Sequence, residues 1–168
     1  MKFSPYSIRA AGTPDISLIR ALCAQVWPST YYPILNKDQV DYMMEWMYSP
    51  ASLAQQMAEG CMFLLLFHKD KPLGYASYQS LDTLSYKLHK LYILPTEQGN
   101  GAGRFFLSQI QQRVKEQGGQ SIELQVNRQN KARYFYEKMG YSIRKEVDIA
   151  VGNGYYMNDY IMHIELVY

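Results

Sequence analysis

The sequence predicts an α/β fold with a mixed (α+β) central sheet of about six to seven strands flanked by helices. Three observations predict it. Apolar residues recur at helical spacing up to about residue 60, and beyond that they alternate or run continuously, as in strands. Residues 86–127 read strand, helix, strand, a unit that is parallel and right-handed within one sheet. Three glycines, Gly99, Gly101 and Gly103, stand where that unit's helix begins. Glycine is costly at such a place unless the backbone must come very close to something.

The elements follow in order. Tyr6 to Ala11 reads as a strand. Thr13-Pro14-Asp15 starts a helix, with Thr13 as N-cap and Pro14 in the first turn. Ile16, Ile19, Leu22, Cys23 and Val26 give that helix its apolar face, and Pro28 ends it. Asn36 caps a second helix carrying Val40, Met43, Met44 and Met47. Ser49-Pro50 opens a third that runs to Gly60. Met62 to His68 is a buried strand, residues 69–72 a turn, and Leu73 to Leu81 the hairpin partner. Tyr86 to Leu94 is a longer strand stopped by Pro95. Phe106, Ile110 and Val114 mark the next helix, which Gly118-Gly119 terminates. Ser121 to Asn127 alternates, with Ile122, Leu124 and Val126 on one face. Asn130 opens a helix with Ala132, Phe135, Tyr136 and Met139 along one side, ended by Gly140. Tyr141 to Val151 and Tyr156 to Val167 are strands around the turn Gly152-Asn153-Gly154.

The 168 residues suit one domain, 1–168, with one sizeable core. A net charge of +2 without a Lys or Arg stripe argues against a nucleic-acid partner. Cys23 and Cys61 form neither a metal spacing nor a disulfide framework, so no metal is expected. They read as two buried thiols in a reducing compartment. MKFSPYSIRA lacks the apolar core of a signal peptide, and the longest apolar run, Cys61 to Phe67, is too short to cross a bilayer. The expectation is a soluble cytoplasmic protein without a membrane partner. Sixteen tyrosines hint at a pocket or a homodimer contact.

A strand, a glycine-rich turn and a helix N-terminus together suit phosphate, because first-turn N–H groups lack partners and carry the positive end of the dipole. TEQGNGAGRFF (96–106) is not a P-loop, which would end Gly-Lys-Ser/Thr. The dinucleotide fingerprint fails by spacing, since its last glycine would fall on Arg104 or Phe106. The pattern Q/R-x-x-G-x-G/A matches Gln98-Gly99-Asn100-Gly101-Ala102-Gly103. On this hexad the chain resembles the GNAT superfamily of N-acetyltransferases. HKLYILP (89–95) is similar to that family's fourth strand, and NKARYFYEKMGY (130–141) to the helix bearing its asparagine and tyrosine. GYASY is similar to its hairpin and MNDYIMHIEL to a common C-terminal strand. The resemblance covers about residues 61–168 and is weak over the N-terminal helices.

The resemblance implies a GNAT acyl-CoA N-acyltransferase fold and transfer of an acetyl group from acetyl-CoA to a primary amine by direct attack in a ternary complex. It implies a V-shaped opening between strands 88–94 and 121–127 for the pantetheine arm. The pyrophosphate would sit on N–H groups of residues 99–104, with Gln98 holding the loop and Arg104 either on a phosphate or in solvent. A backbone N–H near Leu91 to Ile93, assigned to Ile93, would stabilise the oxyanion. Tyr136 would protonate the leaving thiolate, and Asn130 would cap its helix and contact pantetheine. Tyr86-Lys87-Leu88-His89-Lys90 has no carboxylate where many members carry a base. The alternatives are His89, Glu123 acting through water, or water itself as the base, and Asp159 reads as a turn or substrate-rim residue. Trp27, Tyr31, Tyr32, Tyr42 and Trp46 either line an acceptor site, where Tyr31 and Tyr32 would touch substrate, or simply pack. Asp38, Asp41 and Glu45 form only a modest acidic cluster. The acceptor is read as a small amine or polyamine rather than a protein. The alternatives are a catalytically silent acyl-CoA-binding or sensor domain and, less suited to the glycine spacing, a nucleotide-dependent oxidoreductase.

Overall fold

In the computed structural model of the chain, residues 4–168 are described; the first three residues, at the head of the segment read for a leader, lie outside them. The element order is β1 (Tyr6–Ala11), α1 (Ile16–Tyr31), α2 (Lys37–Tyr48), α3 (Pro50–Ala58), β2 (Met62–His68), β3 (Lys71–Ser80), β4 (Ser85–Ile93), α4 (Ala102–Glu116), β5 (Ser121–Asn127), α5 (Ala132–Lys138), β6 (Ser142–Gly152) and β7 (Tyr155–Glu165). The strands form one mixed seven-stranded sheet in the order β1-β2-β3-β4-β5-β7-β6. The predicted succession of strands and helices is the observed one.

Three local expectations are corrected. Thr13 is not an N-cap: it begins a short 3-10 turn, and the Asp15 carboxylate accepts the Gly12 N–H at 3.0 Å while pairing with Arg9 at 3.0 Å. Pro28 does not end α1, which runs on to Tyr31 with the Tyr32 N–H donating to the Pro28 carbonyl. A proline inside a helix costs roughly 3 kcal/mol. Tyr31 packing on Trp27, with ring centroids 4.4 Å apart, rewards the extra turn. The turn expected at 69–72 is shorter, because Lys71 and Pro72 already pair with His68 and Phe67.

The described residues fall into two compact units, one running up to Gln79 and including Lys90–Ile110, the other comprising Ser80–His89 and Gln111–Tyr168. In the first, β1 and β2 pair antiparallel, as do β2 and β3, with a bulge in the second ladder at Leu66/Phe67. Phe63 to Leu66 and Leu73 to Tyr78 are buried without alternation, the signature of strands covered on both faces. Each such leucine contributes about 1.5–3 kcal/mol by leaving water. Asn36 caps α2 by accepting the Asp38 N–H, and Ser49 caps α3 by accepting the Ser52 N–H.

In the second unit β4 and β5 pair in parallel, Ser85–Leu88 against Ser121–Leu124. β5 alternates as predicted, burying Ile122, Leu124 and Val126. β7 pairs antiparallel with β5 and with β6. β6 closes the sheet and is mostly exposed; its Arg144, Lys145 and Glu146 are the charges that keep an edge strand from pairing with another chain. Asn153 and Gly154, both at positive φ, make the hairpin turn.

Candidate active site

The glycine-rich loop is built in the first unit. β4 ends at Ile93, residues 95–97 form a 3-10 turn, and α4 starts at Ala102. Gln98 turns its amide back to the Ile93 carbonyl, Nε2 donating at 3.1 Å, and so ties the loop to the strand end. The Tyr6 hydroxyl donates to the Asn100 carbonyl at 3.1 Å. Gly99 and Gly101 both have φ of 85°, and a Cβ built on either meets nothing within 4 Å. Protein packing therefore does not require these glycines; backbone conformation does, and the space beside them is open. Ala102 is buried and anchors the first turn, whereas Arg104 is exposed. The first ordinary helix bond runs from the Phe105 N–H to the Gly101 carbonyl, leaving the preceding N–H groups of the turn without helical acceptors. This arrangement fits a diphosphate.

β4 meets a close approach just before the loop. A Cβ on Gly74 would lie 2.3 Å from the Tyr92 carbonyl oxygen and 3.3 Å from Ile93 Cα. The bulge at Leu66/Phe67 in the β2–β3 ladder falls beside Leu73, whose carbonyl accepts the Leu94 N–H at 2.8 Å just past this point. The 92–93 peptide is the one to which the family resemblance assigns oxyanion stabilisation.

Around it stands a cluster of aromatics that the helical spacing did not resolve. The Trp27 indole donates to the Tyr48 hydroxyl at 3.1 Å, the Tyr75 hydroxyl donates to Tyr48 at 2.9 Å, and Tyr31 and Tyr92 share a bond of 2.8 Å. Burial holds the Tyr48 and Tyr75 hydroxyls well above the ordinary range, so neither titrates near neutrality. Lys90 is buried as well: its Nζ donates to Gln56 at 2.6 Å and lies over the rings of Tyr48 and Phe63. Tyr31 is thus packed and bonded, while Tyr32 is exposed and donates to Asp41 at 2.7 Å. Lys37 also takes Asp41, whose carboxyl is held below its usual range by Lys37 and then Tyr32. The acidic cluster is thereby partly neutralised. Tyr42 stacks on the exposed Trp46. Cys23 is buried, its thiol pushed up to about 12 by desolvation, while Cys61 is only half-buried, against the expectation of two buried thiols.

The second unit holds the tyrosine helix. Asn130 accepts the Ala132 N–H at 2.9 Å and so opens α5, as predicted. Tyr136 is the buried residue of α5, set edge-on to Tyr141 with centroids 5.7 Å apart. Tyr141 is bonded to Gln111 at 3.0 Å, and burial pushes its hydroxyl up to about 12.

One face of β4, β5 and β7 is polar. The register places Lys87 opposite Glu123, Glu123 opposite His163, and Asn127 opposite Asp159. Lys87 donates to Gln125 at 3.1 Å. Glu123 is half-buried on this face, and His89 is exposed. Asp159 corrects the sequence reading: it is neither in a turn nor at a rim but within β7, 1% exposed, and neither carboxylate oxygen has a hydrogen-bond partner. Burial pushes it up to about 6, against the pull of Arg128 and Lys87. Sequence alone gave no sign of this, because burial of a strand acid depends on what covers it.

Asp159 carries a stability prediction. Its folded value lies above the ordinary 3.8, so its favourable contribution is full below that pH and lost as pH rises through about 6. A difference of about two pH units amounts to roughly 3 kcal/mol. Asp159→Asn is expected to unfold at higher urea concentration than wild type at pH 8 and to show no such gain at pH 3; urea titrations at both values check it.

The comparisons with known proteins agree with this fold. The structure superposes on the PaiA N-acetyltransferase of Thermoplasma acidophilum, solved in complex with coenzyme A, with a TM-score of 0.80 at 21% identity, over 98% of this chain and 100% of that one. A family model described as an acetyltransferase (GNAT) domain matches residues 33–161. The ribosomal protein bS18-alanine N-acetyltransferase of Haemophilus influenzae is 30% identical over 130 residues, 77% of this chain and 84% of that protein. An uncharacterized N-acetyltransferase of Mycobacterium tuberculosis is 27% identical over 155 residues, 91% of this chain and 99% of that protein. The chain belongs to the GNAT acetyltransferase family and is an N-acetyltransferase.

Proposed function

We propose that the chain, as one catalytic domain spanning residues 1–168, transfers the acetyl group of acetyl-CoA to a small primary amine by direct attack in a ternary complex. The observation that carries this reading is the loop from Gln98 to Arg104, with two left-handed glycines flanked by open space ahead of a helix. Its N–H groups, from Gly99, Asn100 and Gly101 into Ala102, Gly103 and Arg104, bind the diphosphate of the co-substrate. Gln98 sets the loop, and Leu91 and Ile93 offer backbone groups to the pantetheine and the oxyanion. Asn130 orders the start of α5, and Tyr136 returns a proton to the departing thiolate. The solved relative's complex with coenzyme A supports the same co-substrate. The two free thiols suit a reducing cytoplasm. Of the two base candidates named from sequence, Glu123 is half-buried on the polar face and His89 is exposed.

Gly101→Val is expected to weaken acetyl-CoA binding at least 100-fold while the protein stays folded. A β-branched residue at positive φ is strained by roughly 1–2 kcal/mol or more, and its side chain would enter the open space where the phosphates bind. Calorimetric titration with acetyl-CoA reads the outcome, and unaltered affinity removes the phosphate assignment. The bS18-alanine relative supports a second reading, acetylation of a protein N-terminus. A panel containing polyamines, simple amines and a peptide with N-terminal alanine separates the two.

A further inference from the structure

Beyond Gln98 the glycine-rich loop is held from outside at one point. The Tyr6 hydroxyl, on the edge strand β1, donates to the Asn100 carbonyl at 3.1 Å, although the two residues are 94 positions apart. Among the described residues no other side chain reaches Gly99, Asn100 or Gly101 by a hydrogen bond. The near half of the loop is tied separately: Glu97 pairs with Lys71 at 3.1 Å, and Gln98 donates to the Ile93 carbonyl. The Tyr6 ring has its own contacts, with ring centroids 5.9 Å from His68 of β2 and 5.5 Å from Phe105 of α4. They hold the ring while the hydroxyl reaches the loop.

A trans peptide is planar, and its C=O and N–H point to opposite sides. Holding the Asn100 carbonyl towards the Tyr6 hydroxyl therefore turns the Gly101 N–H away from it. That N–H has no protein acceptor among the described residues, and the space beside Gly101 is open. The opposite orientation is open to the loop as well. Rotating the 100–101 peptide changes ψ of Asn100 and φ of Gly101, and glycine takes φ of either sign about as readily. The rotated loop would present a carbonyl oxygen where an anion needs an N–H. The glycines that let the loop form thus leave its polarity undecided, and the Tyr6 hydrogen bond decides it. We infer that Tyr6 is a positioning residue for co-substrate binding, holding the 100–101 peptide with its N–H towards the diphosphate. This rests on the diphosphate reading of the loop above. Tyr6 acts through the Asn100 carbonyl, so its effect falls on affinity for acetyl-CoA and not on the acetyl-transfer step.

The test is Tyr6→Phe, which keeps the ring and removes the hydroxyl. Calorimetric titration is expected to show acetyl-CoA bound about fivefold more weakly than by wild type, the size of one ordinary hydrogen bond. With the amine of the panel that turns over fastest, kcat at saturating acetyl-CoA is expected to stay unchanged, and kcat/KM to fall by the same factor of about five. S-acetylpantetheine, which carries the same thioester and no phosphate, serves as the second donor, and its kcat/KM is expected to be equal for the two proteins. A change below about twofold in acetyl-CoA affinity overturns the assignment. Equal losses on both donors overturn it too, since they would make Tyr6 a residue of general structure. Where S-acetylpantetheine gives no measurable turnover, the acetyl-CoA data decide: a fall in kcat as large as that in affinity overturns the assignment. A wild type that uses both donors with equal kcat/KM, or does not bind acetyl-CoA, overturns the diphosphate reading itself, and the role of Tyr6 with it.

Discussion

Tyr136→Phe is expected to lower kcat about 100-fold while leaving the affinity for acetyl-CoA within about twofold of wild type. The substitution removes one oxygen and keeps the ring. The ring is the part that packs, edge-on to Tyr141 and beside Phe135 at 5.3 Å, so stability should change by no more than about 1.5 kcal/mol. A phenol of ordinary pKa near 10 can return a proton to a thiolate near 8.5 only when held close to it. Three other tyrosines are poor substitutes. Tyr141, in the same unit, is bonded to Gln111 and pushed up to about 12, and burial also holds Tyr48 and Tyr75 well above the ordinary range. Steady-state release of coenzyme A, set beside a calorimetric titration, reads the two quantities separately. A variant that turns over at the wild-type rate leaves Tyr136 a packing residue.

The second large effect is expected from the smallest change. Gly74→Ala places a Cβ 2.3 Å from the Tyr92 carbonyl oxygen and 3.0 Å from Ile93 Cδ1. Real Cβ atoms do not come so near a backbone oxygen, so β3 and the end of β4 must part. Overpacking of this kind costs about 1–3 kcal/mol. Activity should fall further than stability explains, because the displaced peptide is the one proposed to face the oxyanion, and a shift of about 1 Å there can cost roughly 100-fold. Urea unfolding and kcat measured on one preparation test this. Wild-type kcat in a destabilised variant would detach the 92–93 peptide from catalysis.

Gly74 also shows where a sequence stops being readable. Gly99 and Gly101 are legible because their neighbours in sequence form a pattern and their backbone angles are local. Gly74 is required by a strand some twenty residues away, and nothing adjacent to it says so. Pro28 failed in the opposite sense. The local rule predicts an end to the helix, and the tertiary hydrogen bond of Tyr31 with Tyr92, beside its i,i+4 packing on Trp27, carries α1 one turn further. Lys90 and Asp159 share a cause. Each sits in a strand whose exposure is set by elements distant in sequence, so a lysine and an aspartate that read as ordinary surface residues are enclosed.

What the sequence by itself determined depends on short-range geometry. It set the order of strands and helices, the caps Asn36 and Ser49, the alternation of β5, and the glycine loop with its glutamine. These follow from steric limits on φ and ψ and from the period of apolar residues, which act within a few positions. The tertiary structure alone decided the hydrogen bonding of Trp27, Tyr31, Tyr48, Tyr75 and Tyr92, the crowding of the 92–93 peptide by Gly74, and the unpartnered carboxylate of Asp159. The reason is physical: desolvation and close contact depend on which distant segments meet, and a linear pattern fixes the face a side chain occupies but not what covers it.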